Sequence, residues 1–343
     1  MRLVLALLLL VGVFIGGRAN LSADTPRIGR PAHHAARGFQ NLSPQYSYSM
    51  FGRAVSLVRR SFEPVPQLGP LLPVLPNDGE YLRHNGYEPT VTWVGHATLL
   101  VQLGSVNILT DPIWSERASP VRFAGPRRLV PPGIRFEDLP PIHAVIISHD
   151  HYDHLDEETV RRLAATHRPR FFVPLGLKTW LADLGVSDVI ELDWWQTSRL
   201  RGLAFTSTPA QHSSGRGLHD QNLRLWSSWV ITAGNRRFFF AGDTGYDPTM
   251  REIGTRLGPF HLAAIPIGGY SALGPHPNHV NPEEAVALLA DVRGRLMVPM
   301  HWGTFDMNRE PFREPPDRLL GEAERRGVEP MIRILSPGQT IPW

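Results

Sequence analysis

The chain has 343 residues, of which 42% are hydrophobic, 20% charged and 9% aromatic, so it can bury a sizeable core and is not of disordered composition. A net charge of +3 without a basic stripe argues against nucleic acid as a partner. With no Cys anywhere there are no disulfides, thiolate metal ligands, lipid-modified Cys or Cys nucleophiles.

Met1-Arg2 is a short positive start, followed by the apolar run Leu3 to Ile15 and then small or polar residues through Ala23. That is the layout of a secretory signal peptide. The run is shorter than the about 20 apolar residues of a spanning helix. Residues 1–23 are therefore expected to be an export signal or a retained membrane anchor, with a misplaced start codon as the remaining reading. Either of the first two puts the protein in a bacterial cell envelope, periplasmic or membrane-associated. Residues 24–89 form a Pro-, Gly- and Arg-rich arm with little periodicity. Its stretch Pro64 to Pro76 holds too many prolines for a regular helix. This arm either lies over the main domain or presents an apolar loop to a membrane.

From Thr90 to the end, residues 90–343, strands alternate with helices. Val91–Val94, Ala97–Leu103 and Val106–Leu109 are short β-prone runs separated by Gly95 and Gly104 and read as a meander. Ala144–Ile147 is an apolar run of strand length. Asp156 offers an N-cap to a helix over Glu157–Ala165. Strands are expected at Phe171–Val173, Val189–Leu192, Leu203–Thr208, Leu225–Ile231, Arg237–Phe240, Leu262–Pro266 and Leu296–Pro299. Helices are expected at Thr249–Arg256, Pro282–Val292 and Asp317–Arg326. Many strands with interspersed helices imply face-to-face sheets covered by helices, an α/β arrangement.

The densest chemical signal is His149-Asp150-His151-Tyr152-Asp153-His154, directly after the strand Ala144–Ile147 and ahead of a helix. A run this rich in His is a metal tract. Imidazole and carboxylate both suit a borderline ion such as zinc. One tight loop can present His149 and His151 to one ion, with Asp153 and His154 turned to a neighbour. Such a loop cannot close two coordination shells alone, and three more donors follow later strands. His212 comes after Leu203–Thr208, Asp243 after Arg237–Phe240 within Gly242-Asp243-Thr244, and His301 after Leu296–Pro299.

This order of ligands resembles the metallo-β-lactamase superfamily over residues 90 to about 335. The resemblance implies an αββα sandwich with two zinc ions per chain at one edge of the sheets. It further implies that His149, His151 and His212 hold the first ion, Asp153, His154 and His301 the second, and that Asp243 bridges them. There is no Cys ligand of the kind found in many antibiotic-cleaving members. Thr92-Trp93-Val94-Gly95-His96, Thr110-Asp111-Pro112, Glu191-Leu192-Asp193-Trp194-Trp195, His279-Val280-Asn281-Pro282 and His301-Trp302-Gly303-Thr304 are similar to the branch that hydrolyses N-acyl-phosphatidylethanolamine in phospholipase D fashion. Asp150 stands where that branch tends to have Asn, and neither Gly269 to Asn278 nor the first 90 residues share the likeness.

Two cations about 3.5–4 Å apart can bridge one water and bring its pKa from 15.7 towards about 7. The expected reaction is a metal-bridging hydroxide attacking a phosphodiester, releasing N-acylethanolamine and phosphatidic acid from a phospholipid at a membrane surface. A homodimer is compatible with this reading. Asp153, Asp243 and His279 are the catalytic candidates, His279 because it lies just ahead of a helix and can line the pocket. His96 is either an orienting partner of a ligand or a hydrogen-bonded core His, and Asp111 is placed to bond a ligating His. Arg127 and Arg128 either contact phosphate or form salt bridges at a loop. The competing functions are a zinc hydrolase of lactones or other esters, and a non-catalytic metal-binding envelope protein.

Overall fold

The structure, a computed structural model, describes residues 29–43, 72–217, 219–270, 277–305, 307 and 310–343. The leader and most of the Pro64–Pro76 stretch lie outside the described residues. Among the described residues, no helix is long and apolar enough to cross a membrane.

Two mixed sheets form the body. The first contains β1 (Thr90–Gly95), β2 (Thr98–Leu103), β3 (Val106–Thr110), β4 (Ala144–Ile146), β5 (Arg170–Pro174), β6 (Val189–Leu192) and β13 (Thr340–Pro342), in spatial order β13-β1-β2-β3-β4-β5-β6. The second contains β7 (Thr197–Leu200), β8 (Leu203–Thr208), β9 (Ser228–Ala233), β10 (Arg236–Phe240), β11 (Leu262–Pro266) and β12 (Met297–Met300), in the order β12-β11-β10-β9-β8-β7. β1–β2–β3 is the expected antiparallel meander, and β3 to β6 continue it in parallel. In the other sheet β8, β9 and β10 alternate in direction and β10, β11 and β12 are parallel.

The apolar runs are continuous because both faces of each central strand are covered. Along β2, Leu99, Val101 and Leu103 face the core between the sheets, whereas Leu100 joins the layer under the outer helices. Along β5, Phe172 faces inward and Phe171 and Val173 outward. Phe172 stacks on Phe205 of the opposite sheet with ring centroids 4.0 Å apart and planes 5° from parallel. The outward layer is closed by α1 (Glu80–His84), α2 (Glu157–Thr166) and α3 (Lys178–Asp183), through Leu82, Val160, Leu163 and Leu181. On the second sheet, α4 (Thr249–Leu257), α5 (Pro282–Asp291) and α6 (Glu314–Arg326) insert Ile253, Leu288, Leu289 and Leu319. The result is the expected αββα layering.

Three expectations need correction. The strand drawn as Leu225–Ile231 begins only at Ser228; Leu225 and Trp226 instead pack with Trp194 and Ala210, while Leu225 and Ser227 N–H groups bond to the carbonyls of Leu175 and Ser148. Asp156 occupies the N-cap of α2 but makes no side-chain cap. Its carboxylate accepts from the N–H groups of Trp114 and Ser115 and from the hydroxyls of Ser115 and Thr159, which ties the β3–β4 connection to α2. α6 starts at Glu314, ahead of the expected Asp317, because Pro315 and Pro316 sit in the first turn where no N–H partner is needed. Leu82 of α1, ahead of Thr90, is 1% exposed and packs in the layer outside the first sheet.

The described part of the N-terminal arm lies over this domain. Phe39 N–H bonds to Asn222 O and Leu75 N–H to Pro337 O, at 2.8 and 2.9 Å.

Candidate metal centre

In each sheet the strands that matter run the same way, so β1, β3, β4, β8, β10, β11 and β12 all end at one edge. The loop after β4 carries His149, His151, Asp153 and His154. It turns tightly, with the His154 and Leu155 N–H groups on His151 O. Asp150 is buried but points away, accepting from Gly215 N–H and Arg224 Nη1 at 2.7 Å each. Arg216 donates to the carbonyls of Asp150 and Leu155. Asp150 therefore anchors the loop against the segment after His212 and is turned away from the other donors.

The structure brings all seven expected donors together. His149 Nε2 lies 2.8 Å from His151 Nδ1, which in turn is 3.3 Å from His212 Nε2. A second group joins Asp153, His154 and His301, with Asp153 Oδ2 3.4 Å from both His154 Nε2 and His301 Nε2. Asp243 Oδ2 sits between the groups. It is 3.1 Å from His154 Nε2, 3.2 Å from His301 Nε2, 3.8 Å from His212 Nε2 and 3.9 Å from His149 Nε2.

Several of these atoms are buried yet misaligned for hydrogen bonding. His154 Nε2, His301 Nε2 and Asp243 Oδ1 make no hydrogen bond among the described residues. Buried polar atoms rarely stay unsatisfied, so donors converging on common points fit cations well. Imidazole and carboxylate suit zinc and several other divalent ions alike.

The electrostatics prepare ligands. Burial, reinforced by the neighbouring imidazoles, holds His149 well below the usual imidazole value, and burial pushes His212 down to about 3, so both stay neutral with a lone pair to offer. Burial alone would raise Asp153 and Asp243, but the adjacent His154, with His301 also beside both, keeps each well below the carboxylate range. Conversely, burial disfavours charge on His154 and His301, yet Asp243 and Asp153 outweigh it. His154 is raised well above its ordinary value and His301 to about 9. Without metal, the second group is a set of buried ion pairs that cations can replace.

Surrounding groups fix the ligands' orientation. Asp111 accepts from His154 Nδ1–H at 2.7 Å, from Ser148 N–H at 2.7 Å and from the Ser148 hydroxyl, which leaves His154 Nε2 aimed at the centre. His212 Nδ1–H donates to Asn278 O at 2.9 Å, which does the same for its Nε2. His96, just after β1, is 1% exposed and places Nε2 3.0 Å from Asp153 Oδ2, a position from which it can orient that candidate ligand. His279 approaches the bridge, Nδ1 to Asp243 Oδ2 being 3.7 Å, with 14% of its side chain exposed. The loop bearing it is fixed by the capping box of Asn281 and Glu284 at the start of α5. Arg128 contacts the protein itself. Its Nη2 and Nε donate to the carbonyls of Ile113 and Ser115, and the guanidinium lies 4.9 Å from the Phe305 ring centre. It thus braces a loop through carbonyls rather than the expected salt bridge, while its buried Nη1 makes no hydrogen bond among the described residues. Gly242 has a φ of 60°, and a Cβ there would come within 2.5 Å of Ser148 Cβ, so this turn of Gly242-Asp243-Thr244 needs glycine.

Sequence reasoning missed Asn41. This arm residue brackets a candidate ligand: its Nδ2 donates to His212 O at 2.7 Å and its Oδ1 accepts from His212 N–H at 3.1 Å and Trp226 Nε1 at 3.0 Å. No local pattern around Asn41 marks it.

A sequence profile of the beta-lactamase superfamily domain matches residues 106–302. The N-acyl-phosphatidylethanolamine-hydrolyzing phospholipase D 1 of Caenorhabditis elegans is 46% identical over 241 residues, covering 66% of this chain and 68% of that protein. An uncharacterized protein of Mycobacterium tuberculosis is 37% identical over 345 residues, covering 95% of this chain and 89% of its own length. Among solved structures, a metallo hydrolase from the archaeon Ignicoccus hospitalis superposes with a TM-score of 0.58 at 25% identity, over 74% of this chain and 98% of that one. With two sheets, ligand-bearing strand ends and these likenesses agreeing, the chain belongs to the metallo-β-lactamase superfamily and is a metal-dependent hydrolase.

Proposed function

We propose that the protein is a zinc-dependent phosphodiesterase that hydrolyses N-acyl-phosphatidylethanolamine, in the manner of a phospholipase D, to N-acylethanolamine and phosphatidic acid. The observation that carries this reading is the position of Asp243 Oδ2 within 3.1–3.9 Å of imidazole nitrogens from both ligand groups, a bridge suited to a pair of ions. The likeness to the nematode phospholipase supports the choice of substrate.

His149, His151 and His212 would hold one ion and Asp153, His154 and His301 the other, with Asp243 shared. Bound there, two zinc ions supply Lewis acidity towards phosphoryl oxygens and acidify water. Seven protein ligands for two ions fall one short of the eight that two closed structural zinc sites take, and a five-coordinate ion would keep a position for water or substrate. The chain's own contribution is positional. Asp111, Asn278 and His96 lock the rings and the Asp153 carboxylate, so little reorganisation is needed as charge develops. His279 is near the bridge and partly open to solvent, and we assign it the proton transfer to the leaving alkoxide. The substrate is a lipid, so the enzyme works at a membrane surface, and we place it in the cell envelope.

Zinc-loaded protein offered N-acyl-phosphatidylethanolamine, an acyl-homoserine lactone and a penicillin is expected to release N-acylethanolamine and phosphatidic acid. Ring opening of the lactone without phospholipid cleavage overturns the proposal.

A further inference from the structure

A second cluster of metal-type donors lies outside this centre and shares no residue with it. His33 and His34 belong to the N-terminal arm, and Asp193 follows β6. His33 Nε2 lies 2.6 Å from Asp193 Oδ1, and His34 Nε2 lies 2.8 Å from Asp193 Oδ2. The three donor atoms are all within 4.8 Å of one another.

The cluster is built rather than accidental. Residues 33–40 make a small hairpin, with Gln40 N–H on His33 O, Ala35 N–H on Gly38 O, and His34 bridged to Phe39. The His33 ring is 7% exposed and stacks on Trp194, centroids 4.2 Å apart and planes 22° from parallel. The His34 ring meets Phe39 edge-on at 5.1 Å. Asp193 is oriented from its own side, Oδ1 accepting from Trp194 N–H at 2.8 Å. Rings fixed by stacking and a carboxylate fixed by a backbone donor are the outer supports that metal ligands ordinarily have.

We propose that His33, His34 and Asp193 form a further divalent-cation site that fastens the arm to the catalytic domain. Two imidazoles and one carboxylate are a recurrent donor set for first-row divalent metals, with the remaining positions left to water. Side-chain exposure of 20% at His34 and 13% at Asp193 gives that water access. With bonds of about 2.1 Å, the N···O separations must open to roughly 3.0–3.4 Å, a small movement that the more open His34 and Asp193 can make against the fixed His33 ring. The consequence reaches the main centre, because the same arm carries Asn41 to both backbone groups of His212.

The test is the zinc content of the full chain after exhaustive loading and removal of excess. His34→Gln and Asp193→Asn each keep a hydrogen-bonding group in place while weakening the donor set. Each is expected to bind one zinc equivalent fewer than the parent, with residues 33–41 exchanging amide hydrogen faster. Zinc diffraction at its absorption edge on the parent protein gives a second reading that needs no variant, and a peak among the three side chains is expected there. Unchanged zinc content in folded variants, no such peak at saturating zinc, or binding weaker than about 1 mM, which marks an adventitious contact, would each overturn the proposal. None of these readings depends on the substrate, so failure here leaves the phosphodiesterase proposal standing.

Discussion

Replacing Asp111 with Asn tests whether the buried carboxylate sets the metal affinity of His154. Asp111 has no solvent exposure and receives three hydrogen bonds, one of them from His154 Nδ1–H at 2.7 Å. The introduced amide can still accept from Ser148 N–H through its carbonyl oxygen, but its NH2 group then faces two donors. The lost interaction is a charge-assisted hydrogen bond, worth about 1.5–3 kcal/mol when removed. Loss of an orienting partner of a metal-bound His costs about 10–100-fold in affinity, or about 1.4–2.8 kcal/mol at 1.4 kcal/mol per factor of ten. The two routes agree. Zinc titration of Asp111→Asn is therefore expected to show one equivalent of the main centre weakened by about 10–100-fold, with the remaining equivalents close to the parent. Hydrolysis falls at limiting zinc and recovers largely at saturating zinc. A folded variant in which every equivalent binds as tightly as in the parent would refute the argument.

The same geometry sets four other expected outcomes. His151→Ala and Asp243→Asn should each abolish hydrolysis while far-UV circular dichroism stays close to the parent's; full turnover in either removes the proposed roles. Metal uptake at pH 7 should release at least the two protons held by His154 and His301, with a further contribution from acidified water, as measured by calorimetry in buffers of different ionisation heat; uptake without release contradicts the assigned charges. Because the folded-state pKa of His301 is raised to about 9, its ion pairs support the metal-free fold fully below pH 6.5 and fail as pH climbs through 9, so the metal-free melting temperature should drop over that window. A melting temperature flat between those two pH values would contradict the ion pairing. Phe172→Ala should destabilise by about 3–5 kcal/mol in denaturant titrations, since its ring is fully buried against Phe205; a loss below about 1 kcal/mol would show that the sheets repack.

The strand ends and the ligand order were readable in the sequence because both follow from short-range patterns. Four donors in six residues announce one loop, and apolar runs announce the strands whose ends carry His212, Asp243 and His301. β7 was not legible, since Thr197, Ser198 and Arg199 at a sheet edge show no apolar alternation. β13 ends on Pro342 and pairs with β1 from the far end of the chain, which no local pattern records. α1 and α3, at five and six residues, are too short to display a helical period. Asn41 and Asp193 act across more than 150 positions of sequence, so their roles emerge only once the arm is seen on the domain.

The centre is divided between the sheets: four of its donors ride on the loop after β4, and the other three arrive from β8, β10 and β12. Neither half alone offers all seven donors, so the full set exists only once the two sheets have packed against each other. Any ion held by the full set would then come from the metal pool of the compartment in which the chain completes its folding.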